Sequence, residues 1–346
     1  MENLWFCLVA AMVAMYVVFD GYDLGAGILH LWVAKTEEER QLVLRSIGPV
    51  WDGNEVWLLA AGGTMYFAFP ALYAAGFSGF YLPLMMVLWL LMLRGISIEF
   101  RNHIVNEVWR PFWDAGFALS SILLSIFFGA ALGNVVRGVP LDASGYFFEP
   151  LWTDFRLGEN SGILDWYTIL VGLCALMALA MHGALWLALK TPGELHQRSA
   201  RAAQYGWFLL AAFTIMLTLV TFQVQPHVYQ RLQEQPWGYI FPSLAILGLG
   251  GIFCFPRMER DGLAFLSSCL YLVGMLTSMV FGIYPFVLPA NTDPQFSLTV
   301  TSAAAPAYGL KVGLIWWTPG MALAIAYIVY VHRRFSGKVS LEKSSY

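Results

Sequence analysis

The sequence DGYDLGAG (residues 20–27) lies midway along the first apolar run of the chain, and WDGNEVW (residues 51–57) opens the second. An ionisable side chain at the centre of a membrane helix costs about 2.5–3.5 kcal/mol on insertion scales, so such groups usually face a protein interior or a polar pathway. Carboxylates in the first two apolar segments therefore indicate a membrane protein that moves protons, ions or electrons across or within a bilayer.

The composition is that of an integral membrane protein. Of 346 residues, 59% are hydrophobic and only 12% are charged, whereas soluble domains contain roughly 25% charged residues. Many windows have the length of about 20 apolar residues that spans a hydrocarbon core. The net charge of −3 and the lack of a basic tract argue against a nucleic-acid partner. We expect one helical membrane domain over residues 1–346, with an all-α fold.

The apolar pattern predicts nine transmembrane helices, separated by turn chemistry or charge such as that of residues 190–193. The second predicted helix is short, and it begins within the WDGNEVW motif. The predicted spans are residues 4–34, 53–70, 73–95, 114–136, 163–189, 205–225, 238–256, 263–284 and 312–332.

The basic residues orient these helices. With the N-terminus outside, the inner loops and the C-terminal tail hold 15 Lys and Arg, including Lys343, and the outer loops hold four. Because Lys and Arg accumulate on the cytoplasmic side of membrane proteins, this bias predicts an outside N-terminus and a cytoplasmic C-terminus. The protein is then a multi-pass protein of a bacterial or archaeal cytoplasmic membrane.

In this orientation the carboxylates fall at successive depths. Asp20 lies near the middle of the first helix, and Asp23 lies one turn further in on roughly the same face. Asp52 and Glu55 share a face near the inner end of the second helix. Such a row of acids resembles a proton entry route, because carboxyl groups can pass protons through bound water. The charged residues at the inner end of the third helix are Arg94, Glu99 and Arg101.

A structural role is the alternative for these acids. Asp20 next to Gly21 and Asp52 next to Gly53 can accept hydrogen bonds from a loosened backbone, or can pair with Arg94. The sequence leaves both roles open.

The other residues of the WDGNEVW motif have packing explanations. Trp51 and Trp57 lie near a membrane interface, where tryptophan is common, and Gly53 allows a neighbouring helix to approach closely. We interpret Trp51, Gly53, Asn54 and Trp57 together as a structural motif.

The histidines do not form a ligand pattern. A haem or metal site in a helix bundle usually needs His, Met or Cys side chains that face one another. The six histidines occur singly, and His182 alone is well inside a span. We therefore expect no metal site, no redox centre and no catalytic residue in this chain.

Several motifs resemble subunit II of the cytochrome bd quinol oxidases. The most specific is GPVWDGNEVW (residues 48–57), which follows DGYDLGAG (residues 20–27). The resemblance covers nearly the whole chain. The further matching stretches are FSGFY (residues 77–81), GNVVRGVP (residues 133–140), GELH (residues 193–196), YPFVLP (residues 284–289) and SLT (residues 297–299).

This resemblance implies a function as part of a terminal oxidase of the aerobic respiratory chain. Members have nine transmembrane helices and pair with a related subunit I, which binds haem b558, haem b595 and haem d and carries the quinol-oxidising loop. The complex oxidises quinol and reduces oxygen to water, which generates a protonmotive force without pumping. It is surrounded by membrane lipids and can include a small single-helix accessory subunit. In some members, subunit II holds a quinone as a structural element.

The resemblance also implies roles for individual residues. The acids that match Asp23 and Asp52 are proposed to deliver cytoplasmic protons for oxygen reduction, and Arg94 and Glu99 match a further arginine and acid of the same route. Glu55 is a departure, since other members have glutamine there.

Two other classes of function remain as alternatives. A proton-coupled transporter also contains mid-membrane acids, but it would work without a haem-bearing partner, and the sequence lacks the paired broken helices of many transporters. A purely structural subunit would stabilise its partner and conduct nothing. It would tolerate neutralisation of Asp23 and Asp52 together.

Overall fold

The protein is a bundle of helices in the computed structural model, which describes residues 1–158 and 161–341. Lys343, one of the tail residues in the charge count, lies outside the described residues. The α helices are α1 Glu2–Val33, α2 Glu37–Ile47, α3 Trp51–Ala68, α4 Pro70–Gly79, α5 Tyr81–Phe100, α6 Trp109–Arg137, α7 Trp166–Lys190, α8 Gly193–Val224, α9 Pro226–Glu234, α10 Ile240–Cys254, α11 Asp261–Ile283 and α12 Ala307–Arg334.

Short elements complete the chain between these helices. Single turns of 3-10 helix cover Pro236–Tyr239, Phe255–Met258 and Pro294–Phe296. Two short strands, β1 (Phe286–Leu288) and β2 (Leu298–Thr299), pair antiparallel between α11 and α12.

The connecting segments gather at two ends of the bundle. At one end, Arg198 donates to the Val33 carbonyl over 2.7 Å, and the Val339 amide donates to the Lys190 carbonyl over 2.8 Å. We call this the basic end; it comprises residues 34–50, 101–108, 191–200, 255–261 and 335–341. The opposite end, here called the loop end, comprises residues 138–158, 161–165, 225–236 and 284–306.

Within the described residues, eight helical segments are long and apolar enough to cross a membrane. They are α1, α5, α6, α7, α8, α10 with its flanking turns, α11 and α12. The predicted second span corresponds to α3, which has 18 residues and a polar first turn. It nevertheless runs between the two ends, because Val50 precedes it at the basic end and the carbonyl of its last residue, Ala68, accepts from the Ala305 amide at the loop end over 2.9 Å.

Two predicted boundaries were wrong. The span predicted at 73–95 is interrupted at Phe80, where α4 ends and α5 begins. Two features accompany the break. Pro83 is tolerated in the first turn of α5. Gly79 leaves room for the Phe147 ring, because a Cβ at this position would lie 2.1 Å from that ring. The span predicted at 205–225 begins earlier, at Gly193, because the polar basic-end segment continues the same helix.

The short helix α2 was not predicted as an element, although its start carries a recognisable signal. The Thr36 hydroxyl accepts from the Glu39 amide over 3.3 Å, and the Glu39 carboxylate accepts from the Thr36 amide over 3.2 Å. This reciprocal capping box satisfies two amides that the first turn leaves free. It fixes α2 across the basic end.

Helix α1 lies inside the bundle, packed against α3, α6 and α7. Its closest approach is to α7, where Gly25 meets Gly183: a Cβ on Gly25 would lie 2.1 Å from the Leu179 carbonyl oxygen. Small residues allow such backbone contact between membrane helices. This packing places the DGYD stretch of α1 in the interior, next to α3.

Candidate functional site

A buried arginine joins three helices in the interior of the bundle. Arg94 of α5 is fully buried, and both of its terminal nitrogens lie 2.8 Å from carboxylate oxygens of Asp20 on α1, which is also fully buried. The same guanidinium donates to Glu55 of α3 over 2.9 Å. The contact with Asp20 Oδ2 is a hydrogen bond and the contact with Oδ1 is an ion pair. Hydrogen bonds between two charged groups are among the strong ones in proteins. Arg94 thus holds α1, α3 and α5 in register.

Asp23 lies beside this group and has a different environment. It is fully buried, and its Oδ2 accepts from the Asn54 side-chain amide over 2.7 Å. Its Oδ1 has no hydrogen-bond partner within the described residues. A buried oxygen without a partner is costly, and it is the arrangement expected where a proton or a water molecule binds.

We call Asp20, Asp23, Glu55 and Arg94 the acid–arginine cluster. It contains three carboxylates for one guanidinium, so Arg94 cannot compensate all of them. The sequence predicted that the acids face a protein interior or a polar pathway, and the structure places the three acids close to Arg94.

The structure does not bring Asp52 and Glu99 to the cluster. Both side chains are exposed in this chain, Asp52 in the first turn of α3 and Glu99 in the last turn of α5. Asp52 and Glu55 are three residues apart on α3, and of the two only Glu55 contacts Arg94.

The remaining residues of the WDGNEVW motif lie at contacts between helices. Trp57 is buried, and the Trp51 ring lies 3.5 Å from the position of a Cβ on Gly95. Gly53 faces Tyr327 of α12. Asn54 does more than pack, because its amide donates to Asp23.

Sequence reasoning missed two residues that continue this network. The Asn54 amide also donates to the Tyr22 hydroxyl over 2.7 Å, and that hydroxyl lies 3.0 Å from Nε2 of His332 on α12. Tyr22 lies between the two acids of the DGYD stretch, and this position could have indicated its role. No sequence motif around His332 indicates the contact, since His332 is 310 residues away from Tyr22 in the chain.

A second ionic group, at the basic end, was also missed. Asp114 of α6 accepts from His30 over 2.5 Å, from Arg101 over 2.5 Å and from Arg40 over 3.1 Å. Arg101 in addition binds Glu37 of α2 over 2.9 Å. This group ties α2 to the ends of α1, α5 and α6.

A third ionic group lies at the loop end. Arg137 binds Asp165 and, over 2.7 Å, Glu149, and all three side chains are buried. Burial raises the pKa of Glu149 to about 7, and the negative charge of Asp165 adds to the shift while Arg137 opposes it. Glu149 therefore changes charge near neutral pH.

Within residues 1–158 and 161–341, no group of three or more His, Cys, Asp or Glu side chains is arranged to hold a metal ion. His182, the histidine deepest in a predicted span, lies 2.7 Å from the Ser268 hydroxyl and 2.9 Å from the Val18 carbonyl oxygen. These contacts occupy both of its ring nitrogens.

Fold and site together define a polytopic membrane protein whose interior holds a cluster of carboxylates around one arginine. The sequence profile of the cytochrome bd terminal oxidase subunit II family matches residues 1–335. The chain belongs to this family. It is accordingly a subunit of a terminal oxidase complex, an oxidoreductase with a partner subunit I, in a bacterial membrane.

The names of similar proteins agree with this assignment. The chain is 31% identical to a probable cytochrome oxidase subunit 2 of Haemophilus influenzae, over 97% of this chain and 94% of that protein. It is 28% identical to the cytochrome bd-I ubiquinol oxidase subunit 2 of Escherichia coli K12, over 98% and 95%. It is 30% identical to the cytochrome bd ubiquinol oxidase subunit 2 of Bacillus subtilis, over 90% and 89%.

The fold is also that of a solved structure. A chain of the bd oxidase from Geobacillus thermodenitrificans superposes with a TM-score of 0.77, at 18% identity, over 96% of this chain and 98% of that chain. This likeness shows the shared fold.

Proposed function

We propose that the chain crosses the cytoplasmic membrane nine times, with the N-terminus outside and the C-terminus in the cytoplasm. The eight apolar segments and α3 would be the spans. An 18-residue helix is about 27 Å long, close to the thickness of about 30 Å of a hydrocarbon core, and α3 runs between the two ends of the bundle. The basic end would then be cytoplasmic, in accord with its Lys and Arg residues.

In this proposal the complex oxidises quinol and reduces oxygen to water with electrons that pass through haem b558, haem b595 and haem d of subunit I. The relatives from Escherichia coli and Bacillus subtilis are called ubiquinol oxidase subunits. Exposed apolar side chains on α3, α5 and α12 would be covered by subunit I, by lipid, by a bound quinone or by a small single-helix accessory subunit.

The task proposed for this chain is delivery of cytoplasmic protons towards the oxygen-reducing site. Asp23 carries this proposal, because its carboxylate is fully buried, one of its oxygens has no hydrogen-bond partner in the described residues, and, unlike Asp20, it forms no ion pair there. Ionisable groups at membrane depth are typical of proton relays. Asp23 would accept a proton and release it towards subunit I.

The other acids would have separate tasks along this route. Asp52 and Glu99 are exposed and would collect protons from the solvent of the basic end. Glu55 is partly exposed and contacts Arg94, so it would connect the entrance to the interior. Asp20, bound to Arg94 by one hydrogen bond and one further ion-pair contact, would mainly fix the position of the guanidinium.

The substitution Asp23→Asn tests this function directly. We expect oxygen consumption by the purified complex to fall at least tenfold, because a positioned proton-transfer group typically contributes about 10²–10⁴-fold to a rate, while the haem absorption spectrum is retained. Asp154→Asn, an exposed carboxylate of the loop end, is the matched control and should leave turnover unchanged. Normal turnover of Asp23→Asn would contradict the proposal.

Asp52→Asn should also slow oxygen consumption and leave the haem spectrum largely intact, because it removes an entrance and no haem contact. Unchanged turnover would remove Asp52 from the mechanism. Loss of haem would instead indicate a structural role. Normal turnover of the double variant Asp23→Asn, Asp52→Asn would favour a subunit that only stabilises its partner.

A further inference from the structure

A solvent cavity opens at the basic end, next to the network that reaches Asp23. Its volume is about 550 Å³, enough for several water molecules at roughly 30 Å³ each. His332 of α12 lines it together with Arg45 of α2, Lys190 and Trp186 of α7, and residues of the C-terminal segment. His332 thus borders the cavity, and Nε2 of its ring also contacts the Tyr22 hydroxyl.

The hydrogen-bond partners of His332 fix its neutral tautomer. Nδ1 lies 3.0 Å from the carbonyl oxygen of Ile328, which can only accept, so Nδ1 carries the hydrogen. Nε2 of the neutral ring is then an acceptor, and the Tyr22 hydroxyl must donate to it over 3.0 Å. The Tyr22 oxygen in turn accepts from Asn54.

The ring of Tyr22 is held in place while its hydroxyl hydrogen can turn. The ring stacks on Trp186 with a centroid distance of 4.0 Å and contacts Phe265 at 5.9 Å. The Tyr22 oxygen and Oδ2 of Asp23 each lie 2.7 Å from the same nitrogen of Asn54, so they are no further apart than twice that distance. One water molecule or a small side-chain rotation spans such a gap.

We infer that His332 and Tyr22 form a second connection through which Asp23 exchanges protons with the solvent of the basic end, separate from the entrance at Asp52. This inference rests on the proposed function, because it needs Asp23 to carry protons. Every member of the connection is a residue of this chain.

The proton transfer balances with one proton of the solvent as the only reactant. When the hydroxyl hydrogen of Tyr22 turns away from Nε2, a hydronium ion of the cavity gives a proton to the freed Nε2 and leaves as water. The Tyr22 hydroxyl becomes the acceptor of the new N–H, and its own hydrogen is free to turn towards Asp23. When the N–H bond breaks and a new O–H bond forms at Tyr22, the original O–H proton passes to Asp23, directly or through one water. His332 and Tyr22 end neutral, and Asp23 ends protonated.

Two parallel entrances make a specific prediction for combined variants. His332→Gln keeps a polar side chain but cannot relay a proton, and alone it should slow oxygen consumption only slightly, because Asp52 still supplies Asp23. In the Asp52→Asn background the same substitution should remove one of the two remaining supplies and leave Glu99 alone. Turnover should then fall roughly tenfold or more below the product of the two single effects, which is strong non-additivity.

His103→Gln is the matched control. Nδ1 of His103 also contacts a carbonyl four residues earlier, that of Glu99, over 2.9 Å, but the side chain is exposed and has no contact with Tyr22 among the described residues. It should add nothing to Asp52→Asn. Tyr22→Phe keeps the stacked ring and should reproduce the effect of His332→Gln, which provides a second test if the histidine variant loses haem.

The second connection is overturned if the effects of His332→Gln and of Tyr22→Phe each simply multiply with the effect of Asp52→Asn. Complete loss of turnover in Asp52→Asn alone would also overturn it. Asp23→Asn separates this failure from failure of the proposed function. If Asp23→Asn is slow and the double variants are only multiplicative, Asp23 carries protons but receives none through His332. If Asp23→Asn turns over normally, the proposed function itself fails.

Discussion

Glu149 shares the guanidinium of Arg137 with Asp165, and this sharing leaves Glu149 incompletely compensated in a buried position. Its pKa is about 7 in the folded protein, against an ordinary value of 4.5. The folded state therefore binds more protons than the unfolded state between these two values. Folding stability falls as the pH rises through this window.

We expect the free energy of local unfolding of the loop end to fall by about 1 kcal/mol between about pH 6 and about pH 7, since one pKa unit corresponds to about 1.4 kcal/mol. Limited proteolysis of the segment 138–165 in the purified complex measures this change. Glu149→Gln should abolish the pH dependence. The control Asp142→Asn should preserve it, because hydrogen bonds with Ser144 lower the pKa of Asp142 from its ordinary value of 3.8, below this pH window. A pH slope that survives in Glu149→Gln would show that another group is responsible.

At the residue scale, the sequence predicted the burial of acids but not their partners. Asp20 and Asp23 lie in the middle of an apolar run, and the cost of exposing a carboxylate to lipid was enough to predict an interior position. The partners of Asp23 and Tyr22 come from α3 and α12, so only tertiary packing reveals them. Asp52 and Glu99 were less predictable, because residues in a terminal turn can face solvent as easily as the interior.

Among the elements, the contact of α1 with α7 depends on two glycines. A Cβ on Gly183 would lie 2.2 Å from the carbonyl carbon of Gly25, and backbone atoms cannot yield as a flexible side chain can. The two helices would have to separate, which would disturb the position of Asp20 and Asp23 relative to α3.

Gly183→Ala should therefore destabilise the protein by about 1–3 kcal/mol, the usual cost of overpacking, and lower the melting temperature and haem content of the complex. Gly62→Ala is the matched control, since no atom lies within 4 Å of a Cβ at that position. Equal melting temperatures for the two variants would mean that the backbones of α1 and α7 can move apart without cost.

The sequence predicted the position of a helix well where the apolar run was long. It did not predict where some of the other helices begin or break. The run of α1 was placed within two residues at its start and one at its end. The interruption at Phe80 was missed because its cause is partly distant in sequence: the Phe147 ring packs against Gly79. The extension of α8 to Gly193 was missed because a solvent-exposed helix carries no apolar signal.

For the whole molecule, the proposed orientation places the loop end outside and the basic end in the cytoplasm. Ser144 of the loop end and Ser336 of the basic end are exposed polar residues that tolerate a thiol. With Ser144→Cys, a membrane-impermeant thiol reagent should label intact cells. With Ser336→Cys, labelling above that of the unsubstituted chain should require permeabilised cells. The reverse pattern would invert the proposed topology and remove the cytoplasmic proton entrance.

The central claim for the whole molecule is that a subunit whose described residues contain no metal-binding group conducts protons through Asp23. The most direct measurement is the rate of oxygen consumption by the purified complex carrying Asp23→Asn, normalised to its haem absorption. If Asp23 conducts protons, this rate is at least roughly tenfold below that of the unsubstituted complex, with the haem spectrum preserved. An unchanged rate per haem would contradict this role of Asp23 and leave the buried carboxylates with a structural role alone.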